Sequence, residues 1–365
     1  MAYTTIDDPS AYFQTTLYSG TGSEQSITNT GNSDLQPDWV WLKVRSNGTY
    51  GHALFDSVRG VNKVIGSNTT NAEEDQSSDV SLSAFNSDGF TVGGYFNNVN
   101  QSGQTFVSWQ WKAGTSFTND ASSTSVGTID SAGSVSTASG FSIVSWTGTG
   151  SAGTIAHGLG KLPKMIIAKQ RNSTANWVVY FLDTTIANNN VNNYLELNTT
   201  IASTGDSGAR WGAYANYSTT TFGVGTDDQT NKSGSTYVAY VFSDIKAYSK
   251  IGKYTGNGNA DGTFIYTGFK PAFLMIKRAN AADHNWQIHD NKRSASGGNN
   301  LVGSRLLPNL NNAEETDAIG HDFLSNGFKL RTDNATYNEA GGIYIYMAFA
   351  ENPFVTSTGV PTTAR

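Results

Sequence analysis

Short runs that are apolar at nearly every position recur along the chain, separated by polar stretches dense in Gly, Asn, Ser and Thr. Three of them open on proline and end on lysine with the same spacing: Pro37-Asp38-Trp39-Val40-Trp41-Leu42-Lys43, Pro163-Lys164-Met165-Ile166-Ile167-Ala168-Lys169 and Pro271-Ala272-Phe273-Leu274-Met275-Ile276-Lys277. Runs this short and continuous predict strands covered on both sides or held at a sheet interface. Proline stands at the first residue, where a strand tolerates a missing donor. Each run follows an aromatic-x-Gly-x-Gly phrase, at Tyr18-Ser19-Gly20-Thr21-Gly22, Trp146-Thr147-Gly148-Thr149-Gly150 and Tyr254-Thr255-Gly256-Asn257-Gly258. Each is followed by an aspartate (Asp56, Asp183, Asp290) and, much later, by a closing aromatic strand that ends at Trp111, Phe242 or Phe349.

A fixed order of landmarks met three times is a repeat. It divides the chain into module one (1–113), a Ser/Thr/Gly-rich stretch (114–140) read as a linker or a strand-bearing extension, module two (141–249) and module three (250–365), which ends in a short polar tail. Ser87-Asp88-Gly89 and Ser325-Asn326-Gly327 between apolar residues predict tight hairpins. Asn71 to Asp75 and Asn312 to Asp317 predict a helical turn, with a polar cap ahead of two carboxylates at its positive end. The expected fold is all-β, three tandem β-sandwich, jelly-roll-like modules of the size usual for such units.

Charge narrows the functional classes. Only 14% of residues are charged and the net charge is −6, with no basic cluster, which argues against a nucleic-acid partner. No apolar run is long enough to span a membrane, and the start lacks the basic and apolar regions of a signal peptide. The absence of cysteine removes disulfides, thiolate metal sites and thiol nucleophiles.

Candidate chemistry is sparse. His52, His157, His284, His289 and His321 form no metal-binding motif, although His284 and His289 flank Trp286. Glu73/Glu74 and Glu314/Glu315 are chain neighbours rather than carboxylates facing each other across a cleft, as glycoside hydrolysis needs. The Gly-x-Gly phrases lack the Lys and the helix of phosphate loops and read as close backbone approach. Gly256 to Gly262 lacks the alternating carboxylates of a calcium loop. No cofactor, metal or catalytic residue is expected. Module two departs most from its siblings, at Asn188 to Asn193 and Arg210 to Tyr217; Trp211, Tyr214 and Tyr217 are the candidate contacts for a glycan or a partner, with a packing plug as the other reading.

Four phrases stand out: Tyr3-Thr4-Thr5-Ile6-Asp7-Asp8-Pro9, Asp56-Ser57-Val58-Arg59-Gly60, Phe323-Leu324-Ser325-Asn326-Gly327-Phe328 and Gly359-Val360-Pro361-Thr362-Thr363-Ala364-Arg365. They resemble a family of marine bacteriophage virion structural proteins, labelled tail fibre or putative structural protein in phages of marine bacteria and cyanobacteria. The resemblance spans the whole chain and carries no catalytic residues to transfer. It implies a non-enzymatic protein of the virion surface, made in the host cytoplasm. On that basis the expected role is a tail fibre or receptor-binding component that meets a host surface glycan. The alternatives are a decoration protein of capsid or tail and, third, a carbohydrate-active enzyme. Expected partners are other virion proteins and further copies of the chain, with a trimer as the expected homo-oligomer.

Overall fold

The structure is a computed structural model that describes residues 3–76, 80–182, 193–293, 300–316 and 320–362. It is all-β, built from separate antiparallel sheets, with helices of no more than four residues. One four-strand order recurs in each module. In module one the opening strand Phe13–Ser19 pairs with the closing strand Thr105–Trp111, which pairs with the lysine strand Trp39–Val44, which pairs with a fourth strand, Ala53–Asp56. The counterparts are Phe141–Thr147, Thr236–Phe242, Met165–Gln170 and Trp177–Phe181 in module two. In module three they are Ser249–Thr255, Ile343–Pro353, Phe269–Arg278 and Gln287–Asp290. The three Pro-to-Lys runs therefore occupy equivalent places in their sheets.

Lysine strands that are apolar on both sides have two cores to serve. One face of each recurring four-strand set packs on a smaller outer sheet of its own module, as Leu274 and Ile276 do beneath Ile265, Phe323 and Phe328. The other face turns toward a core common to all three modules, where Trp39, Trp111, Phe242, Phe273, Met275, Phe349 and their neighbours form one cluster. The closing-strand residues Trp111, Phe242 and Phe349 share a register position, and Phe349 meets Trp111 at 5.7 Å and Phe242 at 5.9 Å between ring centroids. Residues at one repeat position meet in this way only near an internal pseudo-threefold axis. The modules are thus wrapped around one another rather than strung in tandem.

Three sequence readings need correction or completion. Residues 71–76 and 312–316 form no helical turn: Glu74–Asp75 is a strand and Glu315 bridges to Arg305. Strand register places Phe181 opposite Met165, where Asp56 faces Trp39 and Asp290 faces Phe273; Asp183 and residues 188–192 lie outside the described residues. The 114–140 stretch carries strands Thr115–Asn119 and Ser131–Ser136, which extend the module-two sheet beyond Phe141–Thr147.

Candidate binding surface

The repeated polar residues are consumed by the fold. In each module one fully buried asparagine clamps the aromatic-x-Gly-x-Gly loop. The side-chain oxygen of Asn100, Asn231 or Asn338 accepts the N–H of Thr21, Thr149 or Asn257, each at 2.9 Å. Its amide donates to Ser23 and Gly93, to Ser151 and Gly225, or to Asn259 and Thr332. The first glycine of each phrase lies so close to the opposite chain that a Cβ on Gly20, Gly148 or Gly256 would stand 2.0 to 2.3 Å from a carbonyl oxygen. Close backbone approach is therefore what these glycines provide.

One glutamate of each carboxylate pair, Glu73 and Glu314, holds modules together. Glu73 receives Arg171 of module two through two hydrogen bonds of 2.8 and 2.9 Å, and its backbone N–H donates to the Arg171 carbonyl. Glu314 receives Arg45 of module one in the same way, at 2.8 and 3.0 Å. Each glutamate also meets a buried arginine, Arg59 or Arg293, whose guanidinium pairs with Asp56 or Asp290. Burial alone would raise the Glu73 carboxyl, but the Arg171 and Arg59 guanidiniums hold it below its usual range. Across the same two seams, Tyr240 donates its hydroxyl to Asp56 and Trp109 its indole N–H to Asp290, both at 2.9 Å. At the seam between modules two and three the backbone bond persists, Ser203 N–H to Ala279 carbonyl, but serine and alanine stand where Glu and Arg stand elsewhere. Met347 and Phe181 replace the donor and the aspartate there, by strand register. At that seam the chain itself crosses, through Ser243 to Tyr248.

Other titratable groups also point inward. Lys43, Lys169 and Lys277 are buried, and each ammonium donates to the carbonyl of the next residue; desolvation brings each down to about 8. His52 accepts the Trp41 indole at Nδ1, so Nε2 donates to the Leu307 carbonyl. His289 packs edge-on to His321 at 4.6 Å, and both are fully buried; desolvation pushes His321 down to about 3. Among the described residues no three His, Asp or Glu side chains are grouped as metal ligands.

The contact residues expected in module two divide. Trp211 is 0% exposed and Tyr217 is buried beside it, both against Tyr180 at 5.8 and 4.3 Å between ring centroids. The Asp206 carboxylate accepts the N–H groups of Arg210 and Trp211 and turns the indole inward, while the Tyr217 hydroxyl donates to the Trp211 carbonyl. The packing-plug reading is correct for these two, and Tyr214 lies on a short 3-10 turn, Tyr214–Asn216.

Exposed aromatic rings lie instead on module three, where two stand on one strand, and singly on module one at Tyr95. Strand Phe264–Tyr266 is an edge strand with Ile265 turned inward, leaving Phe264 42% and Tyr266 57% exposed. Beside it a cleft of about 440 Å³ is lined by Tyr3, Asp244, Lys246, Lys250, Tyr266 and Gly268, among others. The hydroxyls of Tyr3 and Tyr266 are 3.0 Å apart, and Tyr3 also donates to the Gly268 carbonyl. A wider groove of about 800 Å³ passes Asp120, Asp130, Trp146 and Arg171. Its tryptophan is buried against Phe222 and Tyr237, and its arginine is committed to Glu73, so it presents little free recognition chemistry. Sequence reasoning missed the module-three cleft because Tyr3, the 243–250 link and the edge strand are distant in the chain. Their only local signal is the alternation exposed, buried, exposed in Phe264–Tyr266.

No helix among the described residues is long and apolar enough to cross a membrane. No curated protein and no solved structure matches the chain. A family profile described as a domain of unknown function, DUF7483, matches residues 8–353, a span that takes in all three modules. The chain therefore belongs to the DUF7483 family.

Proposed function

We propose that this chain is a non-enzymatic virion surface protein, a compact host-contacting component of a phage tail built from three sandwich-like modules. The observation that carries the reading is the closure of those modules around one core. Such a unit suits a head or cap on an appendage better than a length of fibre shaft. The phage assignment itself rests on the sequence resemblance. The inward placement of the repeated charged residues also fits a role in binding rather than turnover. One chain supplies three modules, so a threefold core needs no homotrimer; contacts with other virion proteins belong to the same proposal.

The same self-completeness favours a second reading, a decoration protein seated on capsid or tail by one face. Gold-labelled antibody against the chain, applied to particles of the encoding phage, tests both. Label at the tail end supports the first reading and label over the capsid supports the second. Particles that carry none of the protein contradict both.

A further inference from the structure

We propose that the cleft between Tyr3, Lys246 and Tyr266 binds an acidic pyranose of a surface polysaccharide, one that carries a carboxylate or a sulfate. This deepens the host-contact reading and rests on it. Tyr266 offers an exposed ring beside a hydroxyl, the pairing that suits a sugar's C–H face and its hydroxyl edge. Two phenol oxygens 3.0 Å apart and the Gly268 carbonyl place hydrogen-bonding atoms along one side of the cleft.

Charge selects the class of sugar. The Lys246 ammonium sits 4.6 Å above the Tyr3 ring centroid and makes no ion pair among the described residues. Lys250, on the same rim, is already neutralised by Asp244 at 2.6 Å. The cleft therefore keeps an uncompensated cation on a chain whose net charge is −6. Lys246 is also held in place. Thr4 donates to its carbonyl, Tyr248 and Ser249 donate to the Ile245 carbonyl, and the next residue, Ala247, is fixed at φ +63°. A non-glycine residue is disfavoured in that left-handed region, so the turn that presents Lys246 is kept against local preference.

The test uses the full chain and its Tyr266→Ala and Lys246→Gln variants, titrated calorimetrically with alginate and carrageenan oligosaccharides as anionic probes. Laminarin oligosaccharides serve as the neutral control. Both side chains are solvent-exposed, so unchanged melting temperatures should show that the fold is kept. The expected result is binding of an anionic probe, weakened about tenfold or more by Tyr266→Ala, and by Lys246→Gln with loss of its salt dependence. Binding of laminarin as strong as that of the acidic probes overturns the acidic assignment. No binding of any probe overturns the proposal, as does binding that both variants retain. A dimer abolished by Tyr266→Ala, without glycan binding, overturns it by assigning the patch to self-association. Whole-cell binding separates the two claims: a wild type that binds host cells while both variants bind equally well removes this cleft but keeps the host-contact reading. A wild type that binds no cells removes that reading.

Discussion

Tyr240→Phe tests the seam between modules one and two with little steric disturbance. The phenol hydroxyl donates to Asp56 Oδ2 at 2.9 Å in a fully buried site, and burial keeps the phenol neutral. Phenylalanine fills the same ring volume, so the cavity contribution is small. Asp56 retains the Val58 and Arg59 backbone N–H groups, at 3.1 and 2.8 Å, and the Arg59 guanidinium. What is lost is the hydrogen bond to a charged acceptor, a contribution of about 1.5–3 kcal/mol, together with the longer 3.3 Å bond that Arg59 Nη2 donates to the phenol oxygen. For a chain of 365 residues that is a fall of roughly 3 °C in melting temperature, because unfolding entropy grows with length. Guanidinium denaturation should show a lower midpoint at an unchanged m-value. In a double-mutant cycle with Asp56→Asn, the coupling should exceed about 1 kcal/mol. Met347→Leu, at the equivalent position of the seam without this bond, should cost less than about 1.5 kcal/mol. A Tyr240→Phe effect below about 0.5 kcal/mol, with no coupling to Asp56, would refute the reasoning.

Other outcomes follow from the same packing. Asn231→Ala strands several loop N–H and carbonyl groups at once and should destabilise by about 3 kcal/mol or more in chemical denaturation; a cost typical of a surface site would contradict the clamp. Trp211→Ala should cost about 3–5 kcal/mol, measured the same way, because the indole is buried in the module-two core; a fold of unchanged stability would return Trp211 to the surface. Burial pulls His157 down to about 4 and His321 to about 3, with His52 and His289 also below their ordinary value. The unfolded chain takes up these protons near pH 6.5 and the folded chain does not, so their contribution is complete above about pH 6.5 and is lost as pH falls toward 4. The slope is about 1.4 kcal/mol per pH unit for each histidine, and melting temperature should drop between pH 7 and 5, where ordinary carboxylates are still ionised. A flat profile over that window would contradict the burial of these rings.

Much of the architecture was legible because repetition exposes constraint. The Pro-to-Lys runs mark one strand of each recurring four-strand set, and the Gly-x-Gly phrases mark a place where two backbones nearly touch. How the modules meet was not legible. A strand apolar on both faces, such as Trp39–Val44, has the same pattern whether its second face meets a sister module or another sheet of its own. Glu73 and Glu314 read as helix-start residues because their arginine partners lie 98 and 269 positions away in the chain. The clamp has a local signature: Asn100, Asn231 and Asn338 each precede by three residues a glycine at positive φ, Gly103, Gly234 or Gly341. Trp211 was misplaced because a polar neighbourhood suggests exposure, whereas the neighbouring Asp206 serves to turn the chain inward. The candidate cleft joins the first residues, an inter-module link and an edge strand, so only folding brings it together.

Closure around one shared core makes the three modules a single cooperative unit, since removing any one would bare Trp111, Phe242 or Phe349 to water. Differential scanning calorimetry of the full chain tests this most directly. The account predicts one transition, with a ratio of calorimetric to van't Hoff enthalpy near about 1. Separate transitions, or a ratio approaching about 3, would contradict it and describe modules that fold independently.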